Sequence, residues 1–205
     1  MLTKHGVFVL QGDSITDTRH YIDPEFLGTG YARMIAKYID NFYPDLEMKV
    51  YNRGNGGDRA INLVNRWDED CLDLRPTVVS MLIGINDVWR KFDRDDPTTW
   101  EDYAERCEYL MESVKDTGAS LIVLEPFAIP TGVVTDEWRE DLDPKIFALR
   151  KLAYKYADAY IPLDGIFWKL SIEADPTVWS EDGVHPTAAG HRIIANEIIK
   201  VLEGK

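Results

Sequence analysis

The chain has 205 residues, 45% of them hydrophobic and 29% charged, a balance that fits a folded protein and excludes intrinsic disorder. Asp and Glu number 36 against 23 Lys and Arg, and the resulting net charge of −13 argues against nucleic acid and anionic membrane surfaces as partners. The length suits one domain over residues 1–205, burying roughly 70% of the surface its unfolded chain would expose, without disulfides or a structural metal.

Cys71 and Cys107 stand apart, in no CxxC or ligand-spaced cluster, and read as two reduced thiols. The first apolar run is too short for a secretory signal and has no small-residue cleavage site after it. No stretch approaches the ~18–20 apolar residues of a membrane span. The cytoplasm is therefore the expected compartment, with no membrane partner.

The predicted elements alternate along the chain. A strand over residues 6–11 (GVFVLQ) runs into Gly12-Asp13-Ser14. Residues 26–42 place Tyr31, Ile35, Tyr38, Ile39 and Phe42 at helical spacing. A second strand over 48–52 runs into NRGNGGD at 52–58, and a helix over 59–72 follows, marked by Ile61, Val64 and Trp67. The third strand, 77–83, ends at Gly84-Ile85-Asn86-Asp87. Asp95-Asp96-Pro97-Thr98 is a stop-and-cap signal ahead of a helix over 98–117. A strand over 120–125 precedes residues 127–143, which read as a long loop. A helix over 145–156 and a fifth strand over 159–163 come next, and Asp182-Gly183-Val184-His185-Pro186 precedes a last helix over 188–202. Strands alternating with helices predict a three-layer α/β/α domain, flavodoxin-like, with a parallel sheet of about five strands.

Polar clusters fall at the ends of the first three strands, where ligands bind in doubly wound sheets. Taken singly, each is ordinary turn chemistry. The cluster at 182–186 adds a carboxylate three residues before a histidine. That spacing lets Asp182 fold back onto Nδ1 of His185 and leaves Nε2 to face a nucleophile, and Ser14 waits at the end of the first strand.

Together these residues resemble the SGNH, or GDSL, hydrolase superfamily. Gly12-Asp13-Ser14-Ile15 is similar to its first block, residues 52–57 to its second, Gly84 to Asp87 to its third, and Asp182 to His185 to its last. The resemblance implies a serine esterase with Ser14 as nucleophile, His185 as base and Asp182 as acid. It also implies an oxyanion hole formed by Ser14, Gly57 and Asn86. A narrower resemblance, carried by Gly28-Thr29-Gly30-Tyr31, residues 84–90 (GINDVWR) and 185–191 (HPTAAGH), is to bacterial intracellular acetylxylan or xylo-oligosaccharide esterases. It implies an acetylated sugar as substrate.

Tyr31, Trp89, Arg90 and Trp179 flank the blocks and are candidate substrate contacts, since rings stack on a pyranose and Arg donates to hydroxyls. Asp13, Asp58 and Asp87 read as loop-capping carboxylates rather than metal ligands, because only His185 stands near them and no further His joins the set. Trp67, Trp100, Trp138 and Trp168 read as packing residues, and Asp93, Asp95 and Asp96 as a solvated face. The expected partner is a small-molecule or oligosaccharide ester, and a second copy of the chain is a further candidate. No cofactor is expected. Competing readings are a general short-chain esterase, lysophospholipase or thioesterase of the same superfamily, a metal-dependent phosphoesterase, and a non-catalytic carbohydrate-binding protein.

Overall fold

A computed structural model describes residues 1–205. Five short strands, β1 (Val7–Gly12), β2 (Lys49–Gly54), β3 (Val78–Leu82), β4 (Ser120–Leu124) and β5 (Ala159–Ile161), form one sheet in the order β2-β1-β3-β4-β5, with every pairing parallel. This is the flavodoxin-like order, and its reversal point flanks β1. Gly12 sits level with Gly54 of β2 and Leu82 of β3, so the three polar clusters begin at one height.

The strands alternate between two apolar layers, as a sheet buried on both faces must. Phe8, Leu10, Val78, Leu82, Ile122 and Leu124 join one core, with Tyr31, Ile35 and Ile39 of α2 (Tyr31–Phe42), Phe167 of α7 (Leu163–Glu173) and Ile194 and Ile198 of α8 (Ala188–Leu202). Val9, Val79, Met81, Leu121 and Val123 join the other. Their partners are Leu63 and Trp67 of α3 (Ala60–Asp70), Leu110 and Met111 of α5 (Trp100–Asp116), and Leu149 and Ala153 of α6 (Glu137–Tyr156). The one-turn α1 (Ser14–Asp17) and α4 (Ile85–Arg94) start directly beyond β1 and β3.

The structure corrects several expectations. α2 begins at Tyr31 rather than at residue 26, after Gly28 at φ +72° and the extended Gly30. Residues 127–143 are not all loop, because α6 starts at Glu137 and runs through Pro144. Burial of Trp138, Leu142, Ile146 and Leu149 along one stripe holds that helix across the proline. Helices α4 and α7 were not expected. Of the four tryptophans read as packing residues, Trp67 and Trp138 are buried, whereas Trp100 and Trp168 are 47% and 37% exposed. Asp93 and Asp96 are not merely solvated: they pair with Arg90 and Arg59. Cys71 and Cys107 are both buried and unpaired, and burial pushes the Cys71 thiol up to about 12.

Candidate active site

Ser14 opens α1, the single turn beyond β1, and Asp13 caps that turn by accepting the Ile15 N–H at 2.9 Å. The turn lies hard against the strand ends. A Cβ on Gly12 would stand 2.2 Å from Thr16 Oγ1 and 2.6 Å from the Leu82 carbonyl, so only glycine allows this approach. Asn52, at the end of β2, donates to the Thr16 and Leu27 carbonyls at 2.7 and 3.0 Å and fixes the turn from below.

Across the crevice, residues 180–187 form a tight loop ahead of α8. Asp182 Oδ1 accepts the backbone N–H groups of Val184 and His185 at 2.9 and 2.7 Å, and Ser180 Oγ donates to it at 3.1 Å. The segment after β4 braces this loop, since the N–H groups of Ile129 and Val133 donate to the Gly183 and Asp182 carbonyls. Asp182 Oδ2 and His185 Nδ1 are 2.6 Å apart, and His185 Nε2 lies 2.9 Å from Ser14 Oγ. A carboxylate only accepts, so Nδ1 carries the proton and Nε2 is left to accept from the serine hydroxyl.

The electrostatics follow from these contacts. The hydrogen bond with Asp182 is the main reason that the His185 pKa is raised, and burial opposes it. Burial works against the Asp182 carboxylate, but hydrogen bonds from the His185 ring and from two backbone N–H groups outweigh it and hold its pKa well below the usual range. Asp13, fully enclosed beneath the pair with Oδ2 unpartnered, is pushed up to about 7 by burial.

The expected oxyanion residues follow the ends of three adjacent strands, Ser14 after β1, Gly57 after β2 and Asn86 after β3. The backbone N–H groups of Ser14 and Gly57 have no acceptor within the fold. Gly57 is exposed at φ +86°, in the left-handed region that favours glycine. The loop carrying it is tied to β1 by Arg66, which donates to Asp58 at 2.8 Å and to the Gly12 carbonyl at 3.2 Å. Asn86 is 2% exposed, and its Nδ2 donates to the Asp58 carbonyl at 3.0 Å, which leaves one N–H over.

The expected substrate contacts fare differently. Tyr31 is fully buried, its hydroxyl 2.7 Å from Thr16 Oγ1 and its ring stacked on His191, so it cannot touch a substrate. Arg90 turns inward and donates to Asn86 Oδ1 at 2.8 Å. Trp179 is half-buried against the core, and its carbonyl accepts the Thr187 N–H. Trp89 is half-buried between Trp138 and His185, with ring centroids 5.8 Å from each.

The cavity beside Ser14 and His185, about 760 Å³, is instead walled by Asp17, Thr18, Arg19, Asp23, Thr29 and His191. Ile15 and Ile22 are its only large apolar residues. Sequence reasoning missed this wall. Its one signal was position, since Asp17 to Arg19 follow the Gly-Asp-Ser block directly and His191 lies a short step beyond His185.

Asp13 and Asp87 do cap backbone, accepting from Ile15 and Ala60. Asp58 departs from that expectation and pairs with the Arg66 and Asn55 side chains. No group of three or more His, Cys, Asp or Glu residues is placed to hold a metal ion, and no helix is long and apolar enough to cross a membrane.

The chain is similar to known proteins over nearly its whole length. Residues 10–193 match the GDSL-like Lipase/Acylhydrolase family. The chain is 30% identical over 200 residues to an acetylxylan esterase from Geobacillus stearothermophilus, covering 93% of this chain and 91% of that one. The crystal structure of Axe2, an acetylxylan esterase from Geobacillus stearothermophilus, superposes with a TM-score of 0.87 at 29% identity, over 97% of this chain and 94% of the other. Catalytic mutants of the same esterase, with an Asp, a His or a Ser replaced by Ala, superpose at 0.88 and 28% identity, over 98% and 95% of the two chains. A chain described as a GDSL-like lipase from Parabacteroides merdae gives 0.94 at 29% identity, over 100% and 99%. With the family matched from β1 into α8, the chain belongs to the GDSL-like lipase/acylhydrolase family and is a carboxylic ester hydrolase.

Proposed function

We propose that the chain is a serine esterase that removes short acyl groups, acetyl foremost, from a carbohydrate such as a xylo-oligosaccharide. The observation that carries this reading is the cavity beside the Ser14–His185–Asp182 relay, whose lining residues are mostly of polar type. Its carboxylates, hydroxyls and arginine can meet the hydroxyl-rich alcohol of a sugar ester, and Ile15 and Ile22 are the only large apolar side chains there to meet an acyl chain. The likeness to an acetylxylan esterase supports the same substrate class.

In this reading Ser14 Oγ attacks the ester carbonyl as His185 Nε2 takes its proton. Asp182 keeps the ring in the required tautomer and stabilises the imidazolium. The carbonyl oxygen gains the negative charge and meets the N–H groups of Ser14, Gly57 and Asn86. The carbon–oxygen bond to the sugar then breaks, and His185 gives the proton to the departing alcohol. Water repeats the sequence on the acyl-enzyme: His185 takes its proton, the acid is released, and the proton returns to Ser14.

The test sets p-nitrophenyl acetate, p-nitrophenyl octanoate and an acetylated xylo-oligosaccharide side by side. Release of acetate from the sugar, with acetyl preferred to octanoyl, supports the reading. Fastest turnover of octanoate would transfer the chain to the lysophospholipase or thioesterase type.

A further inference from the structure

Asn86 and Arg90 stand one helical turn apart on α4, so their side chains meet on one face. Arg90 Nη2 donates to Asn86 Oδ1 at 2.8 Å, and Asn86 Nδ2 donates to the Asp58 carbonyl at 3.0 Å. A guanidinium only donates and a carbonyl only accepts. Both contacts therefore demand the same orientation of the amide. Turning it over would set donor against donor on one side and oxygen against oxygen on the other.

The arginine is itself held. Its Nη1 pairs with Asp93, its guanidinium lies 5.4 Å from the Trp89 ring centroid, and its side chain is only 14% exposed. A solvent-facing arginine would give up this anchoring for rotamer freedom. This one is fixed on three sides, with its positive charge on the oxygen of the Asn86 amide.

We propose that Arg90 is a positioning residue for the acyl-oxygen pocket. Through Oδ1 it locks the Asn86 amide, keeps the second N–H available to the acyl oxygen, and polarises that N–H as negative charge builds there. The proposal rests on the reading of Asn86 as an oxyanion donor. A charge-assisted hydrogen bond is roughly twice as strong as a neutral one, and a donor fixed beforehand needs no reorganisation at the transition state. Arg90 touches no substrate in this arrangement, so its influence belongs in kcat and not in KM.

The test is a double-mutant cycle on p-nitrophenyl acetate. Asn86→Ala should lower kcat by roughly 10²–10³ with KM little changed. Arg90→Met in the wild-type background should lower kcat by roughly 10–50-fold with KM within about twofold. In the Asn86→Ala background the same change should cost less than about threefold more, because the amide through which it acts is gone. Arg90→Lys, which restores a charge and a donor, should recover part of the loss.

A rise in KM at constant kcat would make Arg90 a substrate contact and overturn the proposal. Equal losses in both backgrounds would also overturn it, while leaving the role of Asn86 intact. An unchanged kcat in Asn86→Ala would instead remove the reading of Asn86 and the proposal with it. Thermal melting checks the fold of each variant, and Arg90→Gln runs the same cycle if Arg90→Met does not fold.

Discussion

Tyr31 Oη lies 2.7 Å from Thr16 Oγ1, both groups sealed beneath the one-turn helix that begins with Ser14. The phenol therefore props the turn from inside. Tyr31→Phe deletes this hydrogen bond and should cost about 1 kcal/mol of stability, seen as a Tm lower by about 2–4 °C. KM for p-nitrophenyl acetate should stay put. An altered KM with an unchanged melting curve would place the phenol against the substrate instead.

Ser14→Ala should abolish nearly all esterase activity while far-UV circular dichroism and Tm remain those of the wild type. A serine-reactive phosphonate should add its mass to Ser14 alone, and the variant should stay unlabelled. Turnover near the wild-type rate by folded Ser14→Ala protein would falsify the nucleophile assignment.

The pH profile has a defined sign. His185 accepts a proton only when neutral, and its pKa is raised above the ordinary ~6.5 by its bond with Asp182. kcat/KM should thus be low in acid, rise through that raised pKa and level off above it, with a midpoint above ~6.5. Asp182→Asn removes the carboxylate, so the midpoint should move toward lower pH while the plateau falls. A midpoint that stays in place would show that another group sets it.

The cavity wall predicts which substrates lose most from mutation. A groove built for long acyl chains would improve by about 0.8 kcal/mol with each methylene buried. Here kcat/KM should be highest for acetyl and decline by butyryl. Arg19 stands exposed at the cavity and Trp89 is absent from its lining. Arg19→Ala should therefore impair the acetylated sugar more than p-nitrophenyl acetate, and more than Trp89→Ala does. Equal impairment of both esters by Arg19→Ala would place the sugar elsewhere.

Strands β1, β3 and β4 are legible in the sequence because residues buried on both faces read as short apolar runs, and the partly exposed edge strands β2 and β5 are legible from their place in the strand–helix alternation. The Asp182–His185 pair is legible because its geometry is local, three residues across one turn. The link from Ser14 to His185 joins residues 171 apart, and only the family pattern brings them together on paper. Helix α4 is hidden because Asn86 and Asp87 resemble turn residues, although they occupy its first turn after Gly84 at φ +130°. Pro162 and Gly165 hide α7 in the same way, and tertiary burial of Leu163 and Phe167 overrides them. Tyr31, Arg90 and Trp179 show a different limit. An aromatic or a cation next to a motif does not say which way its side chain points, and all three turn toward protein. The walls of the cavity carry no periodicity, so the sequence offered little on Arg19 or Asp23.

The order of the parts along the chain has a consequence for synthesis. The sheet is complete once β5 ends at Ile161, and Ser14, directly after β1, is made before the other four strands. Asp182 and His185 come only afterwards, in the loop that leads into α8. A ribosome-stalled chain ending shortly after Ile161 therefore holds every strand and the serine, but no base to activate it. Such nascent chains should stay silent toward a serine-reactive phosphonate, and labelling should begin only when Asp182, His185 and α8 have cleared the exit tunnel.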